Sequence, residues 1–105
     1  MKEITVQELK KLKDGNENFQ LIDVREQHEF DNANLGGELI PLSEVPLNIS
    51  KISKDKKVIL HCRSGQRSSN IIKWLEQNNG FNNLYNLKGG ILAWSKEIDR
   101  SMAID

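Results

Sequence analysis

Apolar residues recur along the chain in short blocks whose spacing alternates between helical and extended. Val6, Leu9 and Leu12 share a helical face with Lys10, Lys11 and Lys13 off it, and Thr5 with Glu8 has the spacing of a capping box. Asp14-Gly15 stops that helix. Phe19 to Val24 reads as a buried strand ending in charge at Asp23 and Arg25, and Glu26 to Phe30 suits a short helix. Gly36-Gly37 turns the chain, Leu39 to Leu42 is extended ahead of and through a proline, and Ser43 with Glu44 can open a helical turn around Val45 to Ile52. Lys57 to Cys62 is apolar without alternation, the pattern of a central parallel strand covered on both faces.

Beyond residues 63–67, a stripe of Ile71, Ile72 and Leu75, with Trp74 beside it, predicts a helix that ends at Asn78-Asn79-Gly80. Leu84 to Leu87 is one more short strand, and Gly89-Gly90 precedes a last helix carrying Ile91, Trp94 and Ile98. Strands and helices alternate, which favours an α/β fold with a mostly parallel sheet and helices on both faces. Ligands of such sheets bind beyond the carboxyl ends of strands, where Asp23, Arg25 and Cys62 fall.

Composition narrows the function. A length of 105 residues fits one domain, expected to run from 1 to 105, and no repeat or linker divides it. Fifteen basic residues balance fifteen acidic ones without a block of one sign, so neither nucleic acid nor an anionic membrane is an expected partner. No apolar run approaches the ~20 residues of a membrane span, and the start lacks the pattern of a signal peptide, so a cytoplasmic protein is expected. Nothing calls for more than a monomer. The single cysteine cannot form an intramolecular disulfide, and with two histidines it makes a poor metal set, so no metal is expected.

That cysteine opens the most informative segment, Cys62-Arg63-Ser64-Gly65-Gln66-Arg67-Ser68, which runs from a buried strand into a helix. A tight loop at a helix amino terminus aims unpaired N–H groups inward, Gly65 permits the necessary geometry, and Arg63 and Arg67 add charge. A thiol in that field has its pKa lowered from about 8.5 into the range ~3.5–7.5, so Cys62 is the expected nucleophile for an anionic substrate. The alternative, a small hydrophobe closing a core strand, leaves the loop behind Cys62 unexplained.

This loop resembles the active-site loop of the rhodanese-like sulfurtransferases. Leu21-Ile22-Asp23-Val24-Arg25-Glu26 with His28-Glu29-Phe30 is similar to the family's "DVR…EF" segment, and Leu87-Lys88-Gly89-Gly90-Ile91 through Trp94 is similar to its "L.GG…W" ending. The three motifs cover a core from about residue 4 to residue 98. The resemblance implies a single rhodanese-like domain with a five-stranded parallel sheet between helices, and a Cys62 that carries sulfane sulfur as a persulfide. Thiosulfate or a similar anionic donor would supply the sulfur, and cyanide, a thiol or a protein cysteine would accept it. Arg63 and Arg67 would hold the donor, the backbone from Ser64 through Gly65 and Gln66 to Ser68 would stabilise the charged sulfur, and no cofactor would be needed.

Phosphatases and arsenate reductases with comparable loops place their arginine one residue further from the cysteine, where this chain has Ser68, so that activity is a minor alternative. A sulfur-relay or interaction module without turnover is the other. The stretch Asn34 to Leu42 keeps "IPL" but lacks the histidine that many family members carry, and is expected near the site's rim. Asp23 and Arg25 are expected to shape the pocket, chiefly as a structural ion pair. His61 should face away from Cys62 and be buried, and His28 should lie on a surface helix away from the loop. Trp74, Trp94, Phe30 and Phe81 are expected in the core.

Overall fold

The computed structural model describes residues 1–105. Its first element is one that the apolar pattern does not announce. Lys2–Ile4 forms a strand, β1, that pairs in parallel with a strand near the other end of the chain, Lys2 opposite Tyr85 and Ile4 opposite Leu87. Only Ile4 of its three residues is buried, and exposed Lys2 and Glu3 suit a sheet edge that must not recruit a second chain.

The remaining order is α1 (Val6–Asp14), β2 (Phe19–Asp23), α2 (Gln27–Asn32), β3 (Glu38–Leu39), two 3₁₀ turns (Leu42–Leu47 and Ile49–Lys51), β4 (Lys57–His61), α3 (Gln66–Asn79), β5 (Leu84–Leu87) and α4 (Gly90–Glu97). The strands form one five-stranded parallel sheet in the order β1-β5-β4-β2-β3. The expected α/β architecture is therefore the observed one. The capping box also forms: the Glu8 amide donates to Thr5 Oγ1 at 3.1 Å and the Thr5 amide to Glu8 Oε1 at 3.0 Å. Such a cap stabilises a helix start by ~1 kcal/mol. Pro46 supplies no N–H to the middle stretch, which forms tight three-residue turns there.

Helices cover both faces of the sheet. On one face α3 and the 3₁₀ turns bury Val45, Ile71, Ile72 and Leu75 against Ile22, Val58 and Leu60. On the other, α1 and α4 bury Val6, Leu9, Ile91 and Trp94 against Leu21, Ile59 and Leu87, with Met102 and Ile104 packed alongside. Each full aliphatic burial contributes roughly 1.5–3 kcal/mol, so β4, with Val58, Ile59 and Leu60 at 0% exposure, anchors both layers.

The four aromatic expectations divide, with Phe30 half-buried. Trp94 and Phe81 are core residues, whereas Trp74 lies 37% exposed. The helical stripe needs only Ile71, Ile72 and Leu75 to cover the sheet, and Trp74 sits beside it.

Candidate functional site

The carboxyl end of β4 delivers His61 and Cys62 to the same end of the sheet from which β2 delivers Asp23 and Arg25. Cys62 is 1% exposed and belongs to the α3 side of the core. From there the chain turns through Arg63 and Ser64 to Gly65, whose φ of +102° lies in the left-handed region that glycine tolerates, and enters α3 at Gln66.

That turn places donors around the sulfur. The Gly65 amide stands 3.1 Å from Cys62 Sγ, the Ser68 amide 3.5 Å, and the Ser68 hydroxyl 3.4 Å. Burial pushes the Cys62 thiol up. The hydrogen bonds available from the Ser68 hydroxyl and from the amides of Ser68, Gly65 and Ser64 outweigh that effect, and the net direction is down from the ordinary thiol value. A buried sulfur ringed by N–H groups at a helix start is an anion site in miniature.

The loop is also held from behind. The amides of Ile91 and Leu92, at the start of α4, donate to the carbonyls of Cys62 and Arg63 at 3.0 and 3.1 Å. This requires the close approach of Gly90, where a Cβ would run into the carbonyls of Arg63 and Cys62. The glycine pair is thus more than a helix-start turn.

The expected loop residues have different surroundings. Ser64, Gly65 and Ser68 provide the groups just described, whereas Gln66 is exposed and donates to Asn70 Oδ1 at 3.4 Å. Arg67 makes a two-pronged bond to Glu29 of α2, Nη1 to Oε1 at 2.8 Å and Nη2 to Oε2 at 2.9 Å. Its hydrogen bonds hold the Glu29 carboxyl down at about 2, against the opposing pull of burial, and raise the guanidinium in return. Arg63 is exposed and its Nε donates to the Asp105 carbonyl oxygen at 2.7 Å. Both arginines therefore have partners within the protein.

Glu29 also corrects the placing of α2. His28 is exposed as expected, but its helix reaches the loop through Glu29 and lines a cleft with Arg25, Asn32, Ile104 and Asp105. Gly36 and Gly37 lie against the edge of β2, beside Lys13 and Leu21, and line a cleft there that does not include Cys62.

Asp23 and Arg25 form the expected ion pair. Arg25 Nε donates to Asp23 Oδ1 at 3.0 Å and Nη2 to Oδ2 at 2.8 Å, both residues being at most 1% exposed. Arg25 Nη2 also donates to the Ala33 carbonyl at 2.7 Å, tying down the exit of α2. The pair thereby supports the helix that carries Glu29. His61 is completely buried near this pair, Nε2 lying 3.7 Å from Asp23 Oδ2, and neither ring nitrogen has a hydrogen-bond partner within the protein.

Asn86 was not singled out by the sequence. It sits in β5, 4% exposed, and donates from Nδ2 to the Gly65 carbonyl at 3.1 Å while its Oδ1 lies 2.6 Å from Ser68 Oγ. The available signal was an asparagine inside the otherwise apolar strand Leu84-Tyr85-Asn86-Leu87, a residue type that strands disfavour.

Residues 5–97 match the family described as "Rhodanese-like domain". Over 98 residues the chain is 36% identical to "Putative sulfurtransferase YtwF" of Bacillus subtilis, covering 92% of this chain and 93% of that one. It is 36% identical over 81 residues to a "Sulfurtransferase" of Allochromatium vinosum, covering 76% and 75% of the respective chains. The crystal structure of a rhodanese-like domain protein from Staphylococcus aureus superposes with a TM-score of 0.83 at 31% identity, over 100% of this chain and 99% of that one. With the strand order, the loop beyond β4 and these relatives in agreement, the chain belongs to the rhodanese-like family, and sulfur transfer is the general chemistry its sulfurtransferase relatives indicate.

Proposed function

We propose that Cys62 is the nucleophile of a sulfurtransferase and carries sulfane sulfur as a persulfide. The observation that carries this reading is the pair of amides, of Gly65 and Ser68, directed at Cys62 Sγ, which favours a thiolate in a chain with no second cysteine. The thiolate attacks the outer sulfur of thiosulfate or a similar anionic donor. A new S–S bond forms at Cys62, the donor's S–S bond breaks, and sulfite leaves with the electron pair. Cyanide, a thiol or a protein cysteine then attacks the outer sulfur of the persulfide, and the Cys62 thiolate is the leaving group.

The loop backbone from Ser64 to Ser68 stabilises the negative sulfur at both stages. Arg63 and Arg67 receive an anionic donor by exchanging their present partners, the Asp105 carbonyl and the Glu29 carboxylate, for the donor's oxygens. Asp23 and Arg25 shape the surroundings through α2. This chemistry requires neither metal nor organic cofactor, and a free thiol of this kind suits the reducing cytoplasm. No helix is long and apolar enough to cross a membrane.

A second reading, sulfur relay between proteins with little turnover on small donors, draws support from the partnered arginines and from the 1% exposure of Cys62. Intact mass after incubation with thiosulfate tests the carrier step common to both. A gain of one sulfur atom that cyanide removes as thiocyanate is expected. No gain, or a gain that persists in Cys62→Ala, overturns it; repeated thiocyanate formation separates turnover from relay.

A further inference from the structure

Ser68 and Asn86 share a single proton in a buried place. Ser68 is 0% exposed and Asn86 4%, and their contact of 2.6 Å between Oγ and Oδ1 is shorter than any contact that Cys62 Sγ makes. The direction of that bond follows from the asparagine's other end. Nδ2 faces the Gly65 carbonyl at 3.1 Å, and a carbonyl oxygen only accepts, so the amide nitrogen must lie there and the amide oxygen must face Ser68. An amide oxygen also only accepts. The one hydroxyl proton of Ser68 therefore lies on the line to Asn86, and the hydroxyl turns lone pairs toward Cys62 Sγ, 3.4 Å away.

We propose that Asn86 is a positioning residue for the sulfur site: it holds the Ser68 hydroxyl proton away from Cys62 and thereby restrains the thiolate. With Cys62 protonated, the S–H can donate to Ser68 Oγ while Ser68 donates to Asn86, and every group in the chain is satisfied. With Cys62 ionised, the sulfur keeps the Gly65 and Ser68 amides but gains the hydroxyl only if that proton leaves Asn86. Once Cys62 bears an outer sulfur, Sγ is bonded and uncharged, and the proton returns to Asn86 at no cost to the sulfur. The amides of Gly65 and Ser68 still favour the thiolate, and Asn86 limits that preference by withholding the hydroxyl as a further donor.

The proposal rests on Cys62 being the reactive sulfur, but its test needs no sulfur donor. Thiolate absorbance against pH, with the pH profile of alkylation as a second readout, is measured for the native protein, Asn86→Leu, Ser68→Ala and the double variant, each checked for folding by circular dichroism. The other charge acting on Cys62, Arg67 with its partner Glu29, is untouched in all four.

Removing the competing acceptor frees Ser68 to donate to the sulfur, so Asn86→Leu is expected to shift the thiolate titration down by about one pH unit, a roughly tenfold larger thiolate fraction below the transition. Ser68→Ala is expected to leave the titration in place or lower it slightly, and the double variant to show no drop beyond that of Ser68→Ala. If Asn86 merely braced the loop, its loss would loosen the Gly65 amide and move the titration up. An upward or null shift in Asn86→Leu overturns the proposal, as does an upward shift in Ser68→Ala, the variant that decides the matter if Asn86→Leu does not fold. Sulfur loading of native protein, followed separately by mass, distinguishes this failure from failure of the carrier reading itself.

Discussion

Glu29 and Arg67 join α2 to the start of α3 through two parallel hydrogen bonds of 2.8 and 2.9 Å. The charge that the loop would offer to an anionic donor is thus already met by a carboxylate, one that stays ionised to about pH 2. Glu29→Gln leaves Arg67 uncompensated. Its rate of sulfur loading from thiosulfate is expected to rise several-fold at low ionic strength, with the gain shrinking as salt screens it. Loading kinetics across a salt series give the answer, and a slower rate at every salt concentration would mean that Arg67 works only when Glu29 aligns it.

His61 makes stability depend on pH. Burial is the main cause that brings its imidazole down to about 4, with Arg25 and Lys13 adding to the fall and Asp23 opposing it. The unfolded chain, at the ordinary value of about 6.5, binds this proton more readily than the folded one, so stability is greatest above pH 6.5 and declines as pH falls toward 4. At roughly 1.4 kcal/mol for each pH unit between the two values, the expected decline is on the order of 3 kcal/mol over the window. Urea unfolding at pH 7 and pH 5 should show it, and His61→Phe should flatten it. An unchanged slope in that variant would assign the loss to other groups.

Gly90 couples α4 to the sulfur loop. Alanine there must adopt a φ near +62° and drive its Cβ into the carbonyls of Arg63 and Cys62. Gly90→Ala is expected to lower Tm by at least about 5 °C and to weaken sulfur loading together with stability. Thermal unfolding monitored by circular dichroism measures the first, and a native Tm would show that the loop has room which the close approach denies.

The sequence made the strands of the sheet's middle legible because each is long or apolar enough to impose its own period. β4 is the clearest, with Val58, Ile59 and Leu60 all needing cover. β1 was not legible: three residues with one buried side chain carry no period, and its pairing depends on β5, more than eighty residues away. The same distinction holds at the site. Cys62, Gly65 and Ser68 are neighbours in sequence and could be read as one loop around a sulfur. Glu29 and Asn86 come from other elements, and only the folded sheet reveals which loop atoms they touch. The charge of Arg67 was visible, but the carboxylate that meets it was not.

The sheet order also sets when the loop around this cysteine is braced. Cys62 belongs to the third quarter of the chain, yet the groups that brace its loop, Asn86, Gly90 and the amides of Ile91 and Leu92, follow it by 24 to 30 residues, and β1 cannot close onto β5 before those same residues exist. During synthesis from the amino terminus, the thiol and its loop donors therefore emerge first, and the loop gains its bracing only as the last third of the domain docks. The braced geometry around the sulfur and the completed sheet arrive together.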